Sequence, residues 1–181
     1  RTVFFMPNLI GGIVLGYIWS MIFDGILSRY NTSILLNSTY GFWGLIILMA
    51  WQQIGYMMII YIAGLQAVPG DMLEAAKIDG ASEWKTLWDI IIPNVMPSIT
   101  ICTFLTLTNS FKLYDQNLAL TNGRPYNGAI HTTEMLALNI VNSNTLKTKG
   151  VGQAKAVMFF VLVAIIGIFQ MKSTHDKEVQ Q

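Results

Sequence analysis

Phe42-Trp43-Gly44-Leu45-Ile46-Ile47-Leu48-Met49-Ala50-Trp51-Gln52-Gln53-Ile54-Gly55-Tyr56-Met57-Met58-Ile59-Ile60-Tyr61-Ile62-Ala63-Gly64-Leu65-Gln66-Ala67-Val68 contains no charged side chain. An uncharged run of this length exceeds the ~20 helical residues needed to cross a ~30 Å hydrocarbon core. Trp43 stands near its start, where an indole suits a membrane–water interface. Further uncharged runs cover Val3–Phe23, Ile90–Phe111 (with Pro93 and Pro97) and Ala156–Met171. The whole chain is 53% hydrophobic and only 12% charged, against about 25% charged in soluble domains. Four such runs would need too large a core for a soluble protein of 181 residues. The sequence therefore predicts an all-α membrane protein with about four spanning helices. The chain opens at Arg1, directly before an apolar run, and that run lacks a small-residue cleavage site of the secretory kind. It reads as a piece without its N-terminal part.

Between the second and third runs the character changes. Positions 66–94 hold Asp71, Glu74, Asp79, Glu83 and Asp89 against Lys77 and Lys85, a local charge of −3. Pro69 suits the first turn of a helix, and Asp71 and Glu74 favour its positive end. Gly80 is a stop signal and Ser82 an N-cap. Trp84, Leu87, Trp88 and Ile91 recur at the spacing of one helical face, and Pro93 is expected to end that helix. The segment predicts a hairpin of two short helices about Gly80. Its side of the membrane does not follow from charge. With the hairpin inside, the inner side holds Arg1, Lys77, Lys85, Lys172 and Lys177, and the outer side Arg29, Arg124, Lys147 and Lys149. Five against four does not orient the chain by the positive-inside rule.

Polar groups at membrane depth are costly unless they face protein or water. Trp51, Gln52 and Gln53 lie mid-span, and they either line a path or bind helices together. Thr100, Thr103, Thr106, Ser110, Tyr114 and Asn117 fall within an arc of roughly 120° at ~100° per residue. Such hydroxyls either bond back to their own helix carbonyls or form a wet, solute-facing stripe; the length of the stripe favours the second. Trp51, Gln52, Gln53, Asn109, Phe111 and Tyr114 suit stacking on, and hydrogen bonding to, a hydroxyl-rich solute. No Arg or Lys lies inside the spans, which argues for a neutral one. Gly12 and Gly16 have the spacing that lets helices approach closely. Positions 133–141 predict a short surface helix, and Lys155 is placed to snorkel.

The sequence holds no phosphate-binding loop of the G-x-x-x-x-G-K-[ST] kind. His131 and His175 lack metal-ligand spacing, and the lone Cys102 permits no intrachain disulfide. No catalytic residue, metal or cofactor is expected in this chain. The net charge of +1 points to no particular partner, and nucleic acid is not expected as one.

Glu74-Ala75-Ala76-Lys77-Ile78-Asp79-Gly80, nine residues, then Ile90-Ile91-Ile92-Pro93 resembles the EAA motif of binding-protein-dependent ABC importer permeases. Every spacing agrees, with Ile92 where Leu is usual. Arg1–Pro7, Ala63–Gln66 with Pro69, Ile78–Ala81, Leu120–Pro125, Thr133–Leu138 and Gly152–Ala156 extend the similarity over essentially the whole chain, in the form seen in carbohydrate importers. In the T-x-G-G-P loop of that branch, Arg124 stands at the second Gly.

The resemblance implies a type I importer transmembrane domain over 1–181, with the first two of about six spans missing. It implies a cytoplasmic coupling loop at 66–94 whose ATPase-facing residues are Glu74, Ala75, Ala76, Asp79, Gly80, Ile90, Ile92 and Pro93. It also implies a bacterial or archaeal cell membrane, a cytoplasmic ATPase dimer that binds ATP and Mg, a second permease subunit and an external solute-binding protein. The solute path is expected to involve Trp51, Gln52, Gln53, Thr103, Asn109, Ser110, Phe111, Tyr114 and Asn117. A sugar or oligosaccharide is the expected solute, with a glycerol phosphate ester or an amino acid as the alternative. A transporter unrelated to ATPases would have no reason to keep the motif.

Overall fold

The computed structural model describes residues 2–127, 130–144 and 148–175. It is almost entirely helical: α1 (Thr2–Leu9), α2 (Gly12–Leu27), α3 (Ser38–Gln66), α4 (Gly70–Ile78), α5 (Glu83–Thr86), α6 (Ile92–Phe111), α7 (Asp115–Leu120), α8 (Leu136–Ser143) and α9 (Lys149–His175). A two-residue antiparallel ribbon pairs Tyr126 with His131 and Asn127 with Ile130.

Among the described residues three helices are long and apolar enough to cross a membrane: Ser38–Gln66, Glu83–Phe111 and Lys149–Lys172. The expected first span, Val3–Phe23, is not one helix. Gly11 takes an extended conformation (φ −58°, ψ 141°) between α1 and α2. These pieces have 8 and 16 residues, short of a full crossing. The Gly11–Gly12 pair explains the break, because glycine is a poor helix former.

The third span also differs from expectation. Pro93 does not end the helix that leaves the hairpin. A five-residue π-turn, Leu87–Ile91, joins α5 to α6, with the Ile92 N–H donating to the Leu87 carbonyl. Proline has no N–H for the preceding turn, and its ring crowds the carbonyl four residues back. Widening that turn opens the space. The Asn94 side chain donates to the Ile90 carbonyl at 2.7 Å. The widened turn also breaks the expected apolar face: Trp84 and Trp88 are exposed, whereas Leu87 and Ile91 are half-buried.

The chain forms two compact units. The first comprises Arg1–Tyr56 and Asn109–Val163. Its core is Ile34, Leu45, Leu48, Leu113 and Leu120, with Trp19, Phe23, Leu27, Leu35, Met49 and Met135 packed against it. The Asp24 carboxylate accepts the Ile34 N–H at 3.0 Å and ties the polar connector back to α2. The close approach offered by Gly12 and Gly16 is used within the chain, by α7. A Cβ at Gly16 would lie 2.5 Å from the Ala119 Cβ, and one at Gly12 would lie 2.9 Å from the Asp115 Cβ. Gly16→Ala should therefore destabilise this unit by about 1–3 kcal/mol, the usual cost of overpacking. Adding Ala119→Gly should recover most of that loss; thermal melts in detergent measure both, and no recovery would mean the two sites are not in contact. Lys155 Nζ donates to Asn139 Oδ1 (2.7 Å) and Ser143 Oγ (2.6 Å), so it holds α8 against α9.

The second unit comprises Met57–Thr108 and Ala164–Gln181. Here α3 and α6 meet at Gly64, where an added Cβ would run into the Ser98 side chain and lie 3.4 Å from Val95 Cγ1.

Candidate functional sites

The helical hairpin in the second unit is built from two caps. α4 ends in a paired-bond cap: Ala81 N–H donates to the Ala76 carbonyl (2.9 Å) and Gly80 N–H to the Lys77 carbonyl (3.2 Å). This is the Schellman arrangement, which requires a left-handed residue after the helix; Gly80 supplies it with φ 70°. Two residues later Ser82 caps α5, its Oγ accepting the Lys85 N–H at 3.3 Å. Pro69 occupies the N-cap of α4, one position ahead of the helix it was expected to begin. The turn is thus fixed at both ends by hydrogen bonds.

Ala76, Asp79, Gly80, Ala81, Ser82, Lys85, Thr86, Asp89 and Ile90 line a cleft of about 520 Å³ inside the hairpin. Of the motif residues, this cleft gathers Ala76, Asp79, Gly80 and Ile90. Glu74 and Ala75 are exposed on α4, and Ile92 and Pro93 lie half-buried at the start of α6. Ile78 is 86% exposed at the tip. A carboxylate-rich surface with a bare apolar tip is chemically suited to a partner with a basic rim and an apolar pocket.

A second cavity lies wholly in the first unit. It has about 310 Å³ and is lined by Asn8, Met49, Gln52, Gln53, Asn109, Lys112, Leu113, Tyr114, Asp115 and Gln116. Gln52 is buried, and its Oε1 accepts from Gln116 Nε2 at 2.9 Å. Gln53 Oε1 is buried with no hydrogen-bond partner among the described residues. An unmet buried acceptor costs about 1–3 kcal/mol, which a bound hydroxyl would recover.

Four of the nine sequence-predicted path residues meet at this cavity: Gln52, Gln53, Asn109 and Tyr114. Trp51 packs edge-on against Trp19 (5.5 Å between centroids) and Phe111 against Phe159 (6.1 Å). The Thr103 hydroxyl donates to the Ile99 carbonyl at 2.7 Å, as the Thr100 hydroxyl does to Met96 (2.9 Å), so at these two positions the hydroxyls bond back to their own helix. Ser110 is exposed near the end of α6.

The expected stripe does not continue past Phe111, because α6 stops there and a new helix starts at Asp115. The 100° rotation per residue no longer applies across residues 112–114. Asn117, expected on the path, is fully buried and holds together other parts of the first unit. The same break brings in what the sequence reading missed: Lys112, Asp115 and Gln116 line the cavity together with Asn8 and Met49. A charged residue on each side of Tyr114 was a readable hint that the helix had already ended.

Residues 1–172 match the family model described as the binding-protein-dependent transport system inner membrane component. The chain belongs to that family. Among relatives in this permease family, a probable starch degradation products transport system permease from Thermoanaerobacterium thermosulfurigenes is 43% identical over 99% of this chain and 63% of its own length. A multiple sugar-binding transport system permease from Streptococcus mutans is 29% identical over 99% of this chain and 64% of its length. A putative ABC transporter permease from Caldicellulosiruptor sp. is 34% identical over 76% of this chain and 96% of its length.

The fold matches a crystal structure of a bacterial ABC transporter involved in the import of the acidic polysaccharide alginate. The TM-score is 0.75, with 17% identity, over 97% of this chain and 64% of that one. The chain spans a little under two thirds of the first two relatives, and its three candidate spans fit the membrane placement of the family.

Proposed function

We propose that this chain forms part of the translocation path of an ATP-driven importer for a sugar or oligosaccharide. The observation that carries the reading is the rigid hairpin about Gly80, which pairs the EAA spacing with a doubly capped turn and an open acidic cleft. In this reading a cytoplasmic ATPase dimer, which binds the ATP and Mg, docks on Glu74, Ala75, Ala76, Asp79, Gly80, Ile90, Ile92 and Pro93. A second permease subunit completes the path, and an external solute-binding protein delivers the solute. The amide-rich cavity at Gln52 and Gln53 supports a hydroxyl-bearing solute. The names of the relatives in the family support the same class.

A second reading is favoured by one observation. Lys112 brings a cation to the cavity, and a glycerol phosphate permease of Agrobacterium fabrum is 29% identical over 95% of this chain. Uptake of a panel of labelled oligosaccharides and glycerol phosphate esters by the full-length transporter separates the two. Saturable uptake of a neutral oligosaccharide alone is the expected result; uptake confined to the phosphate ester would replace the sugar reading. Gln52→Ala is expected to raise the KM for solute about tenfold, equivalent to one lost hydrogen bond of ~1.4 kcal/mol, and Tyr114→Ala is expected to shift selectivity within the panel. Unchanged uptake constants in both variants would make the cavity structural.

A further inference from the structure

The helix that leaves the hairpin carries two indoles that the cleft does not use. Trp84 and Trp88 are 73% and 62% exposed, one turn apart, and neither lines the cleft whose wall includes Lys85 and Asp89. No loop separates them from the membrane, since Glu83–Phe111 runs as a single long helix through the π-turn. Their depth is therefore set by the span itself. The uncharged stretch from Ile90 to Phe111 is about 33 Å long at ~1.5 Å per residue, which fills a ~30 Å hydrocarbon core and places Ile90 at its edge. Trp88 then lies about 3 Å and Trp84 about 9 Å beyond that edge along the axis. The headgroup layer on each side is about 5–7 Å thick, so Trp88 falls within it and Trp84 lies about 2–4 Å beyond it, on the water side.

We propose that Trp88 seats the base of the hairpin in the lipid headgroup layer, with Trp84 one turn outward at the water side of that layer, leaving the cleft and the Ile78 tip to the protein partner. An indole has an apolar body and one N–H donor, and this combination concentrates tryptophan at membrane interfaces. The seat would resist sliding of the helix along the membrane normal, so that a push on the hairpin is passed into α6. The proposal rests on α6 crossing the membrane and not on the identity of the solute.

The test uses the full-length permease in phosphatidylcholine vesicles with and without dibrominated acyl chains. Emission of the Trp84→Phe/Trp88→Phe variant is subtracted from that of the unmodified protein, and the difference reports these two indoles. The expected difference spectrum contains a blue-shifted component, from Trp88, that is quenched in brominated vesicles, with or without the transporter's own ATPase. A red-shifted, unquenched difference would place the indoles in water and overturn the proposal. So would a difference that becomes blue-shifted only on adding the ATPase, because that would assign them to the protein interface. Intact folding of the variant is checked by its uptake, which Phe is expected to leave within about twofold by keeping the apolar volume.

Discussion

Gly80→Trp in the full-length transporter is expected to cut coupled uptake by about tenfold or more while membrane insertion persists. The warrant is backbone geometry before it is bulk. Gly80 sits at φ 70°, where a residue with a Cβ pays about 1–2 kcal/mol, and no atom lies within 4 Å of a Cβ built there. The strain falls on the cap that positions Ala81 and Ser82, and hence the start of α5. A penalty of that size lowers the closed-to-open ratio of the hairpin about 5–30-fold, and an indole in the cleft adds a block to docking. Gly80→Asn separates the two effects, because Asn accepts left-handed geometry with a small side chain; it is expected to retain most uptake. Glu74→Ala, which leaves the turn intact but removes an exposed carboxylate, is expected to uncouple ATP hydrolysis from uptake with less loss of hairpin structure. Vesicle uptake measured beside ATPase rate and insertion decides the matter: normal transport by both Gly80→Trp and Glu74→Ala would remove the coupling assignment.

The sequence disclosed the parts governed by local rules. The uncharged run from Phe42 reads as one long helix and is one, because nothing within it interrupts the backbone ladder. The helix–Gly–helix hairpin was legible because a cap needs particular residues at fixed offsets, and Gly80 and Ser82 are those residues. The π-turn was not legible. A repeat at i, i+3, i+4 and i+7 presumes 3.6 residues per turn, and a proline after it reads as a stop. In the structure the helix instead widens by one residue and passes through Pro93. The first of the four expected spans is broken at Gly11, where two adjacent glycines separate α1 from α2 within an otherwise uniform apolar run.

The cavity was half legible for a related reason. Gln52, Gln53, Asn109 and Tyr114 were found because amides and hydroxyls are conspicuous at membrane depth. Asn8 was not, because it lies on a separate helix, α1, and Lys112, Asp115 and Gln116 were not, because their position depends on where α6 stops and on α7, a helix of six residues too short to show a period. The small residues were legible: Gly12 and Gly16 signalled a close helix contact, and that contact is made with α7 of the same chain. Arg124, at the place of a second Gly in the loop that it resembles, is accommodated because the left-handed conformations fall on Asn122 and Gly123 and spare position 124.

Asn117→Ala is expected to be the most destabilising single substitution in the first unit, by about 2–5 kcal/mol. The side chain is 0% exposed. Its Nδ2 donates to the Thr133 carbonyl at 2.8 Å and to Thr121 Oγ1 at 3.0 Å, and its Oδ1 accepts the Met135 N–H at 2.9 Å. One amide therefore ties α7 to the segment that leads into α8. Alanine would leave the Met135 N–H and the Thr133 carbonyl without that partner, at about 1–3 kcal/mol each for buried groups. Thr121 is less affected, since its Oγ1 also bonds to the Asn117 carbonyl (3.3 Å) and to Thr133 Oγ1 (3.0 Å). Asn117→Asp is the informative companion: it keeps the acceptor for Met135 but turns the donor side into a second acceptor facing the Thr133 carbonyl, so it should be at least as damaging. Thermal unfolding in detergent, read beside the KM of whatever protein remains folded, distinguishes this role from a place on the solute path. A loss of stability with an unchanged KM is the expected pair of results; an unchanged melting temperature with an altered KM would return Asn117 to the path.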